Sequence, residues 1–309
     1  STSAAWNKQY QTEASPGTGW IFNNTTVNAS SVNVSGVGFT NSTVTVNGGD
    51  LKITNNGPGI LSNSTLNVSG GAVNISSTAG GIDLTGTAVT AGKDITLSAG
   101  SGDILLGGAK NSHKDMTSSG GNITAVAGGN LSMGYMNISA SGSGKDITLL
   151  AGNTTTDGTS SMFMDRETNI TAGGNFTAGA GAGNSGGISF SSPHADGNTI
   201  SAGNDITINV TAAAGMSTAG LNLNATSGNL TINAGKVESQ SVWGNNVTWS
   251  AGKHLTVVSD GDVKWLATDN QNGGGNTVLS GKEGVSVTSH NGTISLSGTG
   301  NNKKNNNSL

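Results

Sequence analysis

Along most of this chain apolar and polar residues alternate in short bursts, and each burst ends in glycine. In AGKDITLSAG at 91–100 a strand turns Ile95 and Leu97 to one face and Asp94, Thr96 and Ser98 to the other. The phrase returns as GGNITAVAGG at 120–129, SGKDITLLAG at 143–152, AGGNFTAGAG at 172–181 and AGNDITINVT at 202–211. It appears again as SGNLTINAG at 227–235 and AGKHLTVVSDGD at 251–262. The β-branched, Thr-rich alternation suits half-buried strands, and the glycines permit sharp corners. No stretch carries a sustained helical period with caps, so the chain reads as all-β.

A single short strand that recurs at intervals of tens of residues is the mark of a solenoid whose coils stack on their neighbours. The predicted fold is a right-handed parallel β-helix (β-solenoid) with extrahelical loops, the hand following from the chirality of parallel crossovers. Residues 1–90 are rich in Asn, Ser, Thr and Val and alternate in the same way with tighter turns. At roughly 20 to 25 residues per coil there would be about a dozen coils, on the order of 60 Å of stacked strands. Residues 1–300 form one solenoid in this reading, with an N-terminal cap over about 1–22 that includes Trp6 and Trp20. The polar tail 301–309 is expected to be disordered. Longer loops are expected at 109–120, 154–168, 191–199 and 267–277.

Composition narrows the function. Ile, Leu, Val and Phe make up only about a fifth of the chain, near the range of disordered proteins, but the net charge of -4 lacks the matching excess. With 13 Lys+Arg against 17 Asp+Glu, and Arg166 the lone arginine, a nucleic-acid groove is excluded. The absence of cysteine removes disulfides and thiolate metal sites. No apolar run is long enough to span a bilayer, and the first residues are not a signal peptide.

Candidate chemistry is sparse. Met162-Phe163-Met164-Asp165-Arg166-Glu167 sets bulky apolar residues beside the arginine, whose guanidinium can grip the carboxylate of an acidic sugar through two hydrogen bonds. The competing reading has Met162 and Phe163 pinning a loop to the rod. His113 with Asp115 and His194 with Asp196 form His-x-Asp pairs, too few ligands for a metal and equally explained as solvated loop residues. Asp165, Arg166, Glu167, His194 and Asp196 are the candidate glycan-binding residues. Trp243, Trp249 and Trp265 lie close together, and aromatic faces are common in sugar-binding grooves, but Trp249 shares parity with Val247 and Trp265 with Val263, which favours packing inside or at a cap over sugar contact. His254 and His290 lie in or beside strand phrases and read as structural. Acids such as Asp94, Asp146 and Asp205 recur at strand starts and never cluster, so no catalytic, metal or cofactor site is predicted.

Twenty N-x-S/T sequons occur, among them Asn28, Asn33, Asn67, Asn122, Asn130, Asn137, Asn169, Asn175, Asn229 and Asn246. A strand written Asn-Ile-Thr creates a sequon automatically while turning both polar residues outward. These asparagines therefore serve either as glycosylation sites or as outward polar ladders.

The coils AGKDITLSAG, GGNITAVAGGNLSM, AGGNFTAGAG, SGNLTINAG and AGKHLTVVS resemble the passenger repeats of bacterial two-partner-secretion exoproteins of the filamentous-haemagglutinin-like family. Its Asn-rich sequons and variant loops are most similar to the high-molecular-weight (HMW) adhesins. The resemblance implies export through a dedicated outer-membrane pore partner, attachment at the bacterial surface or after secretion to host glycoproteins or glycans, sialylated ones included, and hexose on asparagine sequons. It implies neither an enzyme, nor membrane insertion. Neither an NPNG-type secretion motif nor a carboxy-terminal cysteine pair occurs, so an internal piece of a larger protein is expected. Two other functions remain open: a polysaccharide-acting enzyme or tailspike-like protein on the same solenoid, and a passive spacer.

Overall fold

The computed structural model describes residues 11–15, 19–152, 162–180, 186–192, 197–210, 212–241, 246–268, 275–299 and 307–308. They form a parallel β-helix, right-handed as parallel crossovers require, with three long sheets of 12, 11 and 10 strands. Each coil contributes one strand to each sheet in turn. In the coil at 136–164 these are Met136–Ala140 in the first sheet, Ile147–Ala151 in the second and Met162–Met164 in the third. Eleven strands in the second sheet make eleven coils. At the N-terminal end Gln11–Ser15 pairs antiparallel with Gly19–Asn23, which in turn pairs parallel with Val37–Thr40.

The core follows from parity. In the first sheet Val44, Leu66, Val89, Met116, Ile138, Ile170, Ile200, Leu223, Trp249 and Leu279 stack in register, one per coil, and all are buried. Trp249 and Trp265 lie fully inside as their parity predicts, edge to face with ring centroids 5.7 Å apart. Inward positions at the ends of strands carry small residues, such as Ala91, Ala140, Ala172, Ala202 and Ala225 in the first sheet.

Corners leave backbone N–H groups that the sheets do not pair, and side chains of adjacent coils satisfy them. Between the first and second sheets, the Oδ1 of Asp94 accepts from Asn122 N–H at 2.8 Å, and the Oδ1 of Asn122 from Asp146 N–H at 2.9 Å. Asp146 accepts from Asn175 N–H at 2.6 Å, Asn175 from Asp205 N–H at 3.2 Å and Asp205 from Asn229 N–H at 2.7 Å. Hydroxyls do the same between the third and first sheets: Thr25 N–H donates to Ser42 Oγ at 2.9 Å and Ser42 N–H to Ser64 Oγ at 3.1 Å. The Asn or Asp that opens each strand phrase is thus a cap for the next coil.

All four expected loops are partly strand, 267–277 at its ends, where Val263–Thr268 finishes and Thr277–Gly281 begins. Lys114–Ser118 lies within 109–120, Met162–Met164 within 154–168, and part of Asn198–Ala202 within 191–199. The in-register neighbours, for instance Leu131 and Ile188 on either side of Met162, draw these short stretches into the sheets. Residues 153–161, 193–196, 269–274 and 300–306, with Trp6 and Trp243, lie outside the described residues.

Replacing Asp146 with alanine leaves the Asn175 N–H without its cap. The expected cost is about 0.5–1.5 kcal/mol, with faster amide exchange at Asn175, whereas Asp146→Asn keeps the acceptor. Equal exchange at Asn175 in the two variants would show that the cap is not what protects it.

Candidate functional site

The corner that carries the chain from the third sheet into the first is where the rod departs from its own pattern. Its residues adopt left-handed backbone, supplied in the early coils by Asn24, Asn41 and Asn63 at φ near 50° and then by Gly86. Asparagine and glycine tolerate that region best. In two later coils the position is held by Tyr135 and Glu167, at φ 50° and 52°. Neither type favours this conformation, and the cost is on the order of 1 kcal/mol each.

Contacts between coils hold both residues in place. His113 Nε2 lies 2.5 Å from Glu167 Oε2, a link between residues 54 apart in sequence. Tyr135 sits beside it, its ring 5.9 Å from the His113 ring at 63°. The Tyr135 N–H donates to the Arg166 carbonyl at 2.8 Å, and Lys114 N–H donates to the Tyr135 carbonyl at 3.1 Å. Thr168 Oγ1 donates to the Asp165 carbonyl at 2.9 Å, closing the turn.

Arg166 stands on this frame with its side chain 35% exposed. Its Nε–H is buried and makes no hydrogen bond among the described residues; Asp165 Oδ1 is 3.9 Å away and instead accepts the Arg166 backbone N–H at 2.8 Å. Asp165 is well exposed and sits over Gly134, where a Cβ would come within 3.2 Å of the Asp165 Cβ. Phe163, two residues earlier on the outer face of the third sheet, is 43% exposed between Ser132 and Ser189 in register.

The structure therefore brings Asp165, Arg166 and Glu167 together and adds His113, Tyr135 and Phe163. His194 and Asp196 lie outside the described residues. Phe163 does not pin a loop: Met162 and Met164 are buried and Phe163, of opposite parity, faces out. That alternation was present in the sequence, but three residues are too few to establish a period against their surroundings. His113 and Asp115 do not act as a pair, because Asp115 accepts from Asn137 Nδ2 at 2.8 Å while His113 turns to Glu167. His254 Nε2 lies 3.1 Å from Glu283 on the next coil.

None of the ten singled-out sequon asparagines is buried. Asn122, Asn175 and Asn229 cap the next coil through Oδ1, and Asn246 accepts from Asn276 N–H at 2.9 Å. Asn137 and Asn169 form an amide ladder at 3.3 Å. Asn28, Asn33 and Asn67 make no side-chain hydrogen bond among the described residues and point outward from early coils.

A second charged group lies where the second sheet turns into the third. Lys264 Nζ is 2.6 Å from Asp262 Oδ2, and Lys236 is 3.8 Å from Glu238. The hydrogen bond from Lys264, helped by those from Thr293, holds the Asp262 carboxyl down to about 2, and Asp262 in turn raises Lys264. These charges satisfy one another. Among the described residues no three His, Asp or Glu side chains converge as a metal site, and no helix is long and apolar enough to cross a membrane.

Fold and corner together define a repeat-built β-solenoid that presents a small polar and aromatic surface, without a described catalytic cluster. Residues 61–187 match the family described as Hemagglutinin repeat, so this stretch is similar to the repeats of filamentous-haemagglutinin-like passengers. That stretch contains Phe163, Arg166 and the frame beneath them. The match supports an adhesin-like segment of the filamentous-haemagglutinin kind. No curated protein and no solved structure matches the chain.

Because the folded value of Asp262 is depressed below 3.8, its contribution to stability is complete above that value and is lost as pH falls toward about 2. In Lys264→Met the carboxyl should titrate closer to 3.8, read by NMR of the side-chain carboxyl. An unmoved midpoint would assign the depression to Thr293 alone.

Proposed function

We propose that this chain is the receptor-binding part of an adhesin of the HMW type, attaching to host cells by gripping the acidic sugar of a surface glycan at the Asp165-Arg166-Glu167 corner. The observation that carries the reading is Arg166: a half-exposed guanidinium whose buried Nε–H has no hydrogen-bond partner among the described residues. A carboxylate such as that of a sialylated glycan would pair with the exposed part of the guanidinium through charge-assisted bonds, and the left-handed turn at Glu167 and its link to His113 hold the arginine in place. Phe163 supports the same reading, since an exposed ring between two serines offers an apolar platform for a sugar face with hydroxyls beside it. His194 and Asp196 are proposed to extend the contact. The outward sequons, Asn28, Asn33 and Asn67 first, are proposed to carry the glycosylation expected of this family.

The test is binding of the purified chain to a glycan array before and after sialidase treatment. Saturable binding that sialidase removes is expected, and Arg166→Ala should weaken it by about 10- to 100-fold, the worth of a hydrogen bond to a charged group. Sialidase-resistant binding, or an Arg166→Ala variant as good as the parent, would refute the assignment. A chain that binds nothing would be a spacer, and one that releases sugar fragments would be an enzyme.

A further inference from the structure

Four Asn-Gly pairs occur in the chain, at 47–48, 56–57, 272–273 and 291–292, and the third lies outside the described residues. In such pairs the glycine nitrogen can attack the asparagine side-chain carbonyl, because no Cβ shields it. The fold treats the other three differently. At Asn291 the attacking group is occupied, since the Gly292 N–H donates to Ser289 Oγ at 3.0 Å. At Asn56 the electrophile is held, because its Oδ1 accepts from Thr78 Oγ1 of the next coil at 2.7 Å. At Asn47 neither restraint exists. Its side chain is exposed and makes no hydrogen bond among the described residues, and the Gly48 N–H makes none either. Gly48 has φ 95°, and no atom lies within 4 Å of where its Cβ would be.

We infer that Asn47 is a site of spontaneous covalent modification, the one of the three described Asn-Gly pairs that the fold leaves free to deamidate. The Gly48 nitrogen bonds to the Asn47 Cγ and the Cγ–Nδ2 bond breaks, with ammonia leaving and carrying the proton shed by Gly48. The resulting succinimide takes up water at either carbonyl, giving aspartate or isoaspartate at position 47. No other reactant is needed and no electrons change hands. The product places a new carboxylate at the corner between the first and second sheets, three residues before Asp50, whose Oδ1 caps the Ala72 N–H at 2.8 Å. The isoaspartate form also adds a methylene to the backbone there, next to the bond from Asn47 N–H to the Ala29 carbonyl at 2.8 Å.

The experiment is to incubate the intact chain in ¹⁸O-labelled water at mildly alkaline pH, native and in denaturant, and read the label at each pair by peptide mass spectrometry. In the native chain position 47 should label severalfold faster than 56 and 291, and in denaturant the three rates should converge. Ser289→Ala, which frees the Gly292 N–H, should raise the native rate at 291 several-fold while leaving 47 unchanged. A native chain in which 47 is no faster than the others overturns the inference. So does an order that is the same folded and unfolded, because the fold would then have selected nothing.

Discussion

Every coil of this rod depends on how its corners satisfy their backbone. The sheets pair the strand amides between coils, but at each turn an N–H would be left unpaired, and a buried or half-buried orphan costs as much as a lost bond. Backbone carbonyls of the neighbouring coil answer many of them, and short side-chain acceptors answer others: Asp94, Asn122, Asp146, Asn175 and Asp205 along one corner, Ser42 and Ser64 along another. These bonds also set register. An acceptor one residue out of place would cap nothing and would turn Ile and Leu to solvent.

This arrangement explains why the apolar content can approach that of a disordered chain while the fold remains ordered. Most inward positions are filled by one apolar residue stacked on its equivalents, so few such residues enclose the interior. It also explains the abundance of sequons, since Asn before an inward aliphatic residue and Thr after it are both required outside, one to cap and one to line the sheet.

Much of the fold was legible from spacing alone. The parity of Ile95 and Leu97, the inward turn of Trp249 and Trp265 and the recurrence of a glycine-bounded phrase are local signals, and local signals survive in one dimension. The site was legible only in part. Arg166 stood out by its rarity, but the link from His113 to Glu167 joins residues 54 apart, and nothing in their spacing foretells that coils of unequal length bring them together. The role of Asp146 was hidden for the same reason: an acid that looks isolated along the chain is one rung of a column once coils stack. Phe163 was misplaced because a three-residue strand carries too little pattern to show its own parity.

The unequal strands of the third sheet have a mechanical consequence. Bonds between coils run along the rod, so a pull on its ends loads every junction equally, and each junction must hold with the bonds it has. The third sheet contributes strands of only two residues at Gly59–Ile60, Ile82–Asp83 and Ile104–Leu105, against six at Val263–Thr268 and Ile294–Thr299. In that N-terminal stretch the ladder runs on past the strands, from Leu61 N–H to the Asp83 carbonyl and from Gly86 N–H to the Gly107 carbonyl, so those junctions carry their load through the corners as well as through the sheet.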